Sequence, residues 1–406
     1  MGLYKSTPEL SGRIGTLWTL STIKESAVVE FGCMGHTVYA RTFLSRMGAN
    51  GSKLFSTHIR ETDIALGDSS RLTKAIAEIL EDKEVKTIFL LPSTVPEIIG
   101  TDMKALSMEL SLDYPTIKFI TFPTGSFNMT LNEGIEKTLY TIVKELALQK
   151  NKSTTPTYNI VGSCADIYNY NADSIEIKRV LENTFDIKEN CTLTSNTSIS
   201  SIENLAMAHI NIVIREEGVK TAKYLEKKFG TPYIYTRPYG FKATLNWLKE
   251  ISKIINLPLN NDFLNSEEEN YFDHVSPYKT MLQRFMFIHK EQSNLIAVGH
   301  KDVINGICDY CTQEYNFTDV KKYVDNTYHS NETLEFLSDE AKLSFKTRKK
   351  CFLMASEDII ELFDDVGIQI SNPDSKWRHP YLPPLVAFRG SVNIGTLLMN
   401  EMFKID

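Results

Sequence analysis

Apolar residues along this chain fall into two alternating rhythms. Short runs in which nearly every position is apolar have the length and composition of strands, as in Ala27-Val28-Val29-Glu30-Phe31, Thr87-Ile88-Phe89-Leu90-Leu91 and Leu295-Ile296-Ala297-Val298. Similar runs recur at 117–122, 158–162, 210–214, 232–235 and 351–355. Between them, apolar residues return every three or four positions, as at Leu72, Ile76, Ile79 and Leu80 behind a cap at Asp68 or Ser69. Val219 to Phe229 predicts a helix that stops at Gly230, a residue suited to the left-handed backbone of a helix C-terminus. Further helices are expected at Val303 to Glu314, around Thr280 to His289, and from Gly390 to about Phe403.

This alternation predicts an α/β fold of three Rossmann-like domains, with mostly parallel sheets flanked by helices. A polar stretch from Asn151 to Pro156 marks the first boundary, and an Asn- and Glu-rich surface connection is expected from Leu257 to Tyr271. The domains are accordingly placed at 1–156, 157–290 and 291–406, the last with a C-terminal helix. At 406 residues the chain exceeds what one core supports, which agrees with several domains.

Charge and cysteine usage narrow the classes. A net charge of −7 provides no basic stripe for phosphates, which argues against a nucleic-acid partner. The one basic run, Lys346 to Lys350, reads as a solvated edge, and Glu267, Glu268 and Glu269 as a solvated charge run. No stretch has the length of a membrane span, and Met1 to Leu20 lacks the pattern of a secretion signal. Six cysteines dispersed over a long chain favour a reducing cytoplasm over a disulfide framework.

The candidate chemistry lies in strand-to-helix turns. Gly32-Cys33-Met34-Gly35-His36 places a thiol and an imidazole in one Gly-rich turn. Cys308 and Cys311 are spaced to share one face of a helix, where core packing is the expectation; zinc would need two more ligands, for which Cys351 and His300 are the loose options. Gly162-Ser163-Cys164 and Gly299-His300-Lys301-Asp302 could turn backbone N–H groups toward an anion, but neither has a dinucleotide fingerprint, and both read mainly as turns the fold requires.

Four stretches together resemble the component-one subunits of nitrogenase and its relatives, which include the dark-operative protochlorophyllide reductases and cofactor-assembly scaffolds. They are Ser11 to Gly15 leading to Gly32 to His36, Asp63 to Gly67 with Leu72, Val95 to Asp102, and Phe388-Arg389-Gly390. Pro123 to Phe127 matches a Pro/Gly/Phe segment that such proteins carry near the subunit interface. In that family three cysteines hold an iron-sulfur cluster where this chain has Ser11, His36 and Val95. Valine cannot replace a thiolate.

The resemblance implies a subunit paired with a homologous sister and receiving electrons from an ATP-dependent iron-sulfur reductase. Any iron-sulfur cluster would be shared, with the sister supplying most ligands. Cys33 and His36 are the metal-ligand candidates, and Ser11, Gly32 and Gly35 the cofactor-loop candidates. The thiolate that anchors nitrogenase's own cofactor would fall near Ile214, where none stands, and the cofactor histidine near Ile370 to His379, where His379 is the only imidazole. No general acid is identified. Loss of thiolates leaves two other classes open: a noncatalytic scaffold or cofactor-assembly partner, and a small-molecule-binding module that has lost its metal.

Overall fold

The computed structural model describes residues 10–46, 53–122, 129–289, 294–329, 334–338, 351–362, 367–372 and 383–405. The segment Pro123 to Phe127, the basic run Lys346 to Lys350 and His379 lie outside the described residues.

Three parallel sheets follow one another along the chain. The first has the order β2-β1-β3-β4, from β1 (Ser26–Phe31), β2 (Leu54–Ser56), β3 (Thr87–Pro92) and β4 (Lys118–Thr121). The second, β6-β5-β7-β8, is built from β5 (Thr157–Ser163), β6 (Lys188–Thr194), β7 (Ile210–Val213) and β8 (Tyr233–Tyr235). The third, β11-β10-β9-β12-β13, uses β9 (Leu295–Gly299), β10 (Val320–Val324), β11 (Glu335–Phe336), β12 (Phe352–Ala355) and β13 (Ile368–Gln369). Every strand pairing within these three sheets is parallel, which demands crossovers and explains the near-continuous apolar strands.

Strand alternation divides the apolar residues among four cores. In the first sheet Val28, Phe89 and Leu91 face inward to a core shared with Val161, Leu193 and Val213 of the second, while Val29, Ile88 and Leu90 seal the outer face. On the opposite face of the second sheet, Tyr158, Ile160, Ile210 and Ile212 join Leu295, Ala297, Phe352 and Met354 of the third. Ile296, Val298, Leu353 and Ala355 line the last core. The middle sheet is thus sealed on both sides by its neighbours.

Two expectations are corrected. The predicted surface connection from Leu257 to Tyr271 is in large part helix, since one helix runs unbroken through Asn261–Ile288. Asn260 caps it by accepting from the Phe263 N–H at 3.2 Å. Within it Glu267 is not a free surface charge; it pairs with Arg179, 2.6 Å away. In the C-terminal helix Ala387–Ile405, Phe388, Leu398 and Met402 enter the core shared with the helices Tyr170–Phe185, Phe241–Ile255 and Asn261–Ile288.

The helix Gly12–Leu20 is buried along its whole length against the helix Leu131–Leu146. A Cβ on Gly134 would stand 2.0 Å from the Gly12 carbonyl oxygen, and one on Gly15 would stand 2.3 Å from that of Leu131. These glycines set how closely the helices meet.

Candidate functional site

The three stretches expected to hold cluster ligands do meet at one end of the first sheet. Parallel pairing of β1 with β3 brings their carboxyl ends side by side, and Gly32 sits so close to Ser93 that a Cβ would fall 1.7 Å from its Oγ. Ser11 precedes the buried helix that carries Arg13, whose guanidinium lies 3.5 Å from Glu30 Oε1 and donates to Thr94 Oγ1 at 2.8 Å. Thr37 donates to the same Glu30 carboxylate. Burial drives the Glu30 carboxyl upward, with Thr37 and Arg13 opposing the shift. A buried ion pair therefore ties together all three loops.

The candidate donors at this end are sparse. Cys33 is exposed on the loop, Ser11 is half-buried, and Val95 is half-buried within the short helix Thr94–Ile98. Gly35 opens the helix Gly35–Arg46, so His36 lies in its first turn; the His36 side chain is outside the described residues. One exposed thiol, one hydroxyl and a valine do not fit an iron-sulfur cluster held by this chain alone. The remaining described thiols are elsewhere: burial pushes Cys164, Cys191 and Cys308 up to about 12 and Cys311 well above its ordinary value. Cys308 and Cys311 lie in the core between the second and third sheets, as their spacing on one helix face predicts.

A second polar centre joins all three sheets. It begins just beyond Ile214, at the chain position where the resemblance expects an anchoring thiolate, and carries Arg215 and Glu217 instead. Arg215 is fully buried, with Nε 2.7 Å from Glu217 Oε2 and Nη1 2.8 Å from Asp166 Oδ1. The third sheet contributes His300, immediately after β9, and His329, beyond β10. His300 Nε2 and His329 Nε2 each lie 3.1 Å from Glu217 Oε1 and 3.1 Å from one another. From the first unit, Asn132 at the start of the helix Leu131–Leu146 donates to Glu217 and stands 3.4 Å from His329 Nε2.

The electrostatics follow from this crowding. Burial alone would keep Glu217 neutral, but the Arg215 guanidinium and His300 beside it hold its carboxyl well below the usual carboxylate range. Burial likewise works against a charged His300, and the Glu217 carboxylate outweighs it, leaving the imidazole raised. Asp325, also near His300, is raised by burial. Around the rim, Asp302 accepts from the Glu216 N–H at 2.8 Å and from the Tyr235 hydroxyl at 2.5 Å, and Tyr328 donates to Glu136 at 3.2 Å.

Sequence reasoning reached only part of this centre. His300 was visible as a turn residue after a strand, and the Ile214 region as a place lacking sulfur. His329, Asn132 and Glu217 carried no local signal, because the group forms only when three strand ends far apart in the chain converge. Among the described residues, Glu217, His300 and His329 are the group of three with ligand atoms close enough to share an ion.

Comparison with known proteins agrees with the fold. The family described as nitrogenase component 1 type oxidoreductase matches residues 11–300. One subunit of the light-independent protochlorophyllide reductase of Angiopteris evecta is 25% identical over 304 residues, covering 72% of this chain and 58% of that protein. The corresponding polypeptide of Chlorobium phaeobacteroides (strain BS1) is 26% identical over 200 residues, covering 49% of this chain and 37% of that protein. The chain thus spans between 37% and 58% of the length of these two relatives. A solved nitrogenase structure, nitrogenase Cp1 at pH 6.5, superposes with a TM-score of 0.77 at 16% identity, covering 100% of this chain and 94% of that one. The match over most of its length, on three parallel sheets in this order, means that the chain belongs to the nitrogenase component 1 type oxidoreductase family.

Proposed function

We propose that this chain is one subunit of a nitrogenase-like reductase, working beside a homologous sister and taking electrons from an ATP-dependent iron-sulfur reductase. One observation carries the reading: side chains from all three α/β units converge on one buried polar centre, in a chain whose family match runs through Glu217 to His300. Such a centre, at the carboxyl ends of parallel strands, is where open α/β folds bind their ligands. In this reading Arg215 fixes the charge of Glu217, Asn132 orients it, and His300 and His329 face the reacting group. The exposed Cys33 loop, with Met34, Val38, Ile98 and Ile99 exposed on the adjoining helices and loop, is the face toward the sister and its electrons.

An iron-sulfur cluster at that face needs most of its ligands from the sister, with Cys33 as this chain's thiol and His36 as a second donor. The test is anaerobic co-expression with a cysteine-complete homologous subunit, followed by iron and acid-labile sulfide analysis. A stable complex whose iron falls on Cys33→Ser is the expected result. An iron-free complex removes the electron-transfer role, and favours the scaffold reading to which the missing donors at Ser11 and Val95 already point. Failure to form any complex favours a small-molecule-binding module in a reducing cytoplasm. Among the described residues no helix is long and apolar enough to cross a membrane.

A further inference from the structure

Glu217 Oε1, His300 Nε2 and His329 Nε2 form a triangle with all three sides 3.1 Å. With Glu217 held as a carboxylate by Arg215, 2.7 Å away, no arrangement of the imidazole protons satisfies it. If both imidazoles carry a proton on Nε2, two donors face each other; if only one does, the other nitrogen and the carboxylate oxygen meet as lone pairs. With neither, all three contacts are repulsive. A cation above the triangle makes every contact favourable at once. Bonds of about 2.05 Å to nitrogen and oxygen would set it about 1 Å out of the plane, and an ideal tetrahedral site needs edges of about 3.3 Å. The side chains would spread by only a few tenths of an ångström.

We propose that Glu217, His300 and His329 bind one divalent transition-metal ion of the zinc and ferrous-iron class, with three protein ligands and open positions for a further ligand. Surrounding groups suit that role. His329 Nδ1 lies 3.1 Å from Glu216 Oε2 without hydrogen-bond alignment, and the nearby negative charge favours the proton on Nδ1 and the Nε2 lone pair inward. For His300, metal on Nε2 places the proton on Nδ1, where Asp302 Oδ2 is 3.9 Å away; the 3.2 Å contact from the Asp302 N–H to Nδ1 is then given up. Arg215 engages Glu217 Oε2 at 2.7 Å, while Oε1 accepts from the Asn132 amide and keeps a further lone pair for the ion. Asp166, Glu217 and Asp325 supply carboxyl groups to balance the added charge.

This site goes beyond the electron-transfer reading and stands without it, because occupancy is measured without turnover. The full-length chain, stripped with a chelator, is titrated with Co²⁺ and then Zn²⁺, following visible absorption and calorimetry, with circular dichroism to verify folding. One Co²⁺ per chain, displaced by one Zn²⁺, is expected. His300→Asn and His329→Asn each weaken binding by at least about 100-fold, and Asn132→Ala, which removes an orienting contact, by about 10-fold. His274→Asn, at an exposed histidine, leaves binding unchanged. Folded wild-type protein without stoichiometric binding, or both ligand variants binding like wild type, overturns the proposal. X-ray absorption of the zinc-loaded wild-type chain provides a readout that no variant's folding can confuse: two imidazoles in a nitrogen and oxygen shell support the site, and a sulfur shell overturns it.

Discussion

Arg215 is fully buried between Asp166 and Glu217, with its Nε and Nη1 at 2.7 Å from the Glu217 carboxylate and 2.8 Å from that of Asp166. Replacing it with methionine keeps the apolar stem but leaves two carboxylates without their countercharge. Removing one partner of a buried pair costs about 3–5 kcal/mol, so Arg215→Met should lower the midpoint of denaturant unfolding by a corresponding amount. A double variant, Arg215→Met with Glu217→Gln, should recover part of that loss, since one of the two stranded charges is gone. Cysteine reactivity provides a second residue-level test. Cys33 is exposed, whereas burial pushes the thiols of Cys164, Cys191 and Cys308 up to about 12. Brief alkylation of the native chain, read by mass spectrometry, should modify Cys33 while those three react only after unfolding.

The contact between the helices Gly12–Leu20 and Leu131–Leu146 shows how an element can depend on the lack of a side chain. Alanine at position 15 raises helix propensity by about 1 kcal/mol, yet its Cβ would stand 2.3 Å from the Leu131 carbonyl oxygen. Gly15→Ala should therefore destabilise the chain by about 1–3 kcal/mol, as overpacking does, measured by thermal or denaturant unfolding. These elements also show what the sequence could reveal. The helix Val219–Phe229 with Gly230 in the left-handed conformation, and strands β3, β7, β9 and β12, follow local pattern and appear where that pattern puts them. The helix Asn261–Ile288 defeated the reading because its first half is rich in Asn and Glu, and its apolar positions are anchored by distant partners such as Phe388. Arg13 and Glu30 were hidden for a similar reason: each reads as an isolated charge in an apolar run until β1 and the helix Gly12–Leu20 bring them together. The same holds for Glu217, His300 and His329, whose chemistry depends on tertiary contact and leaves no spacing to recognise.

At the scale of the whole molecule, both faces of the middle sheet are closed by cores shared with the neighbouring units. Fragments cut at the predicted boundary near residue 156 should each expose part of a core. Expressed alone, residues 1–156 and 157–406 are expected to be less stable than the intact chain and to bind a dye for exposed apolar surface; well-ordered, dye-silent fragments would show that the units are independent. Intact protein should unfold in a single transition by circular dichroism and by the fluorescence of Trp18 and Trp247, which report on different cores. The sealed middle sheet also bears on synthesis. As the chain leaves the ribosome, the apolar face of the helix Leu131–Leu146 is complete before Val161, Leu193 and Val213 exist to cover it, and the core that Tyr158, Ile160 and Ile212 begin with Val180, Leu181 and Trp247 is closed only when the third sheet arrives. Each stage of elongation leaves a core that a later stage completes, so the growing chain exposes apolar surface at two points of its synthesis, where association between chains is favoured.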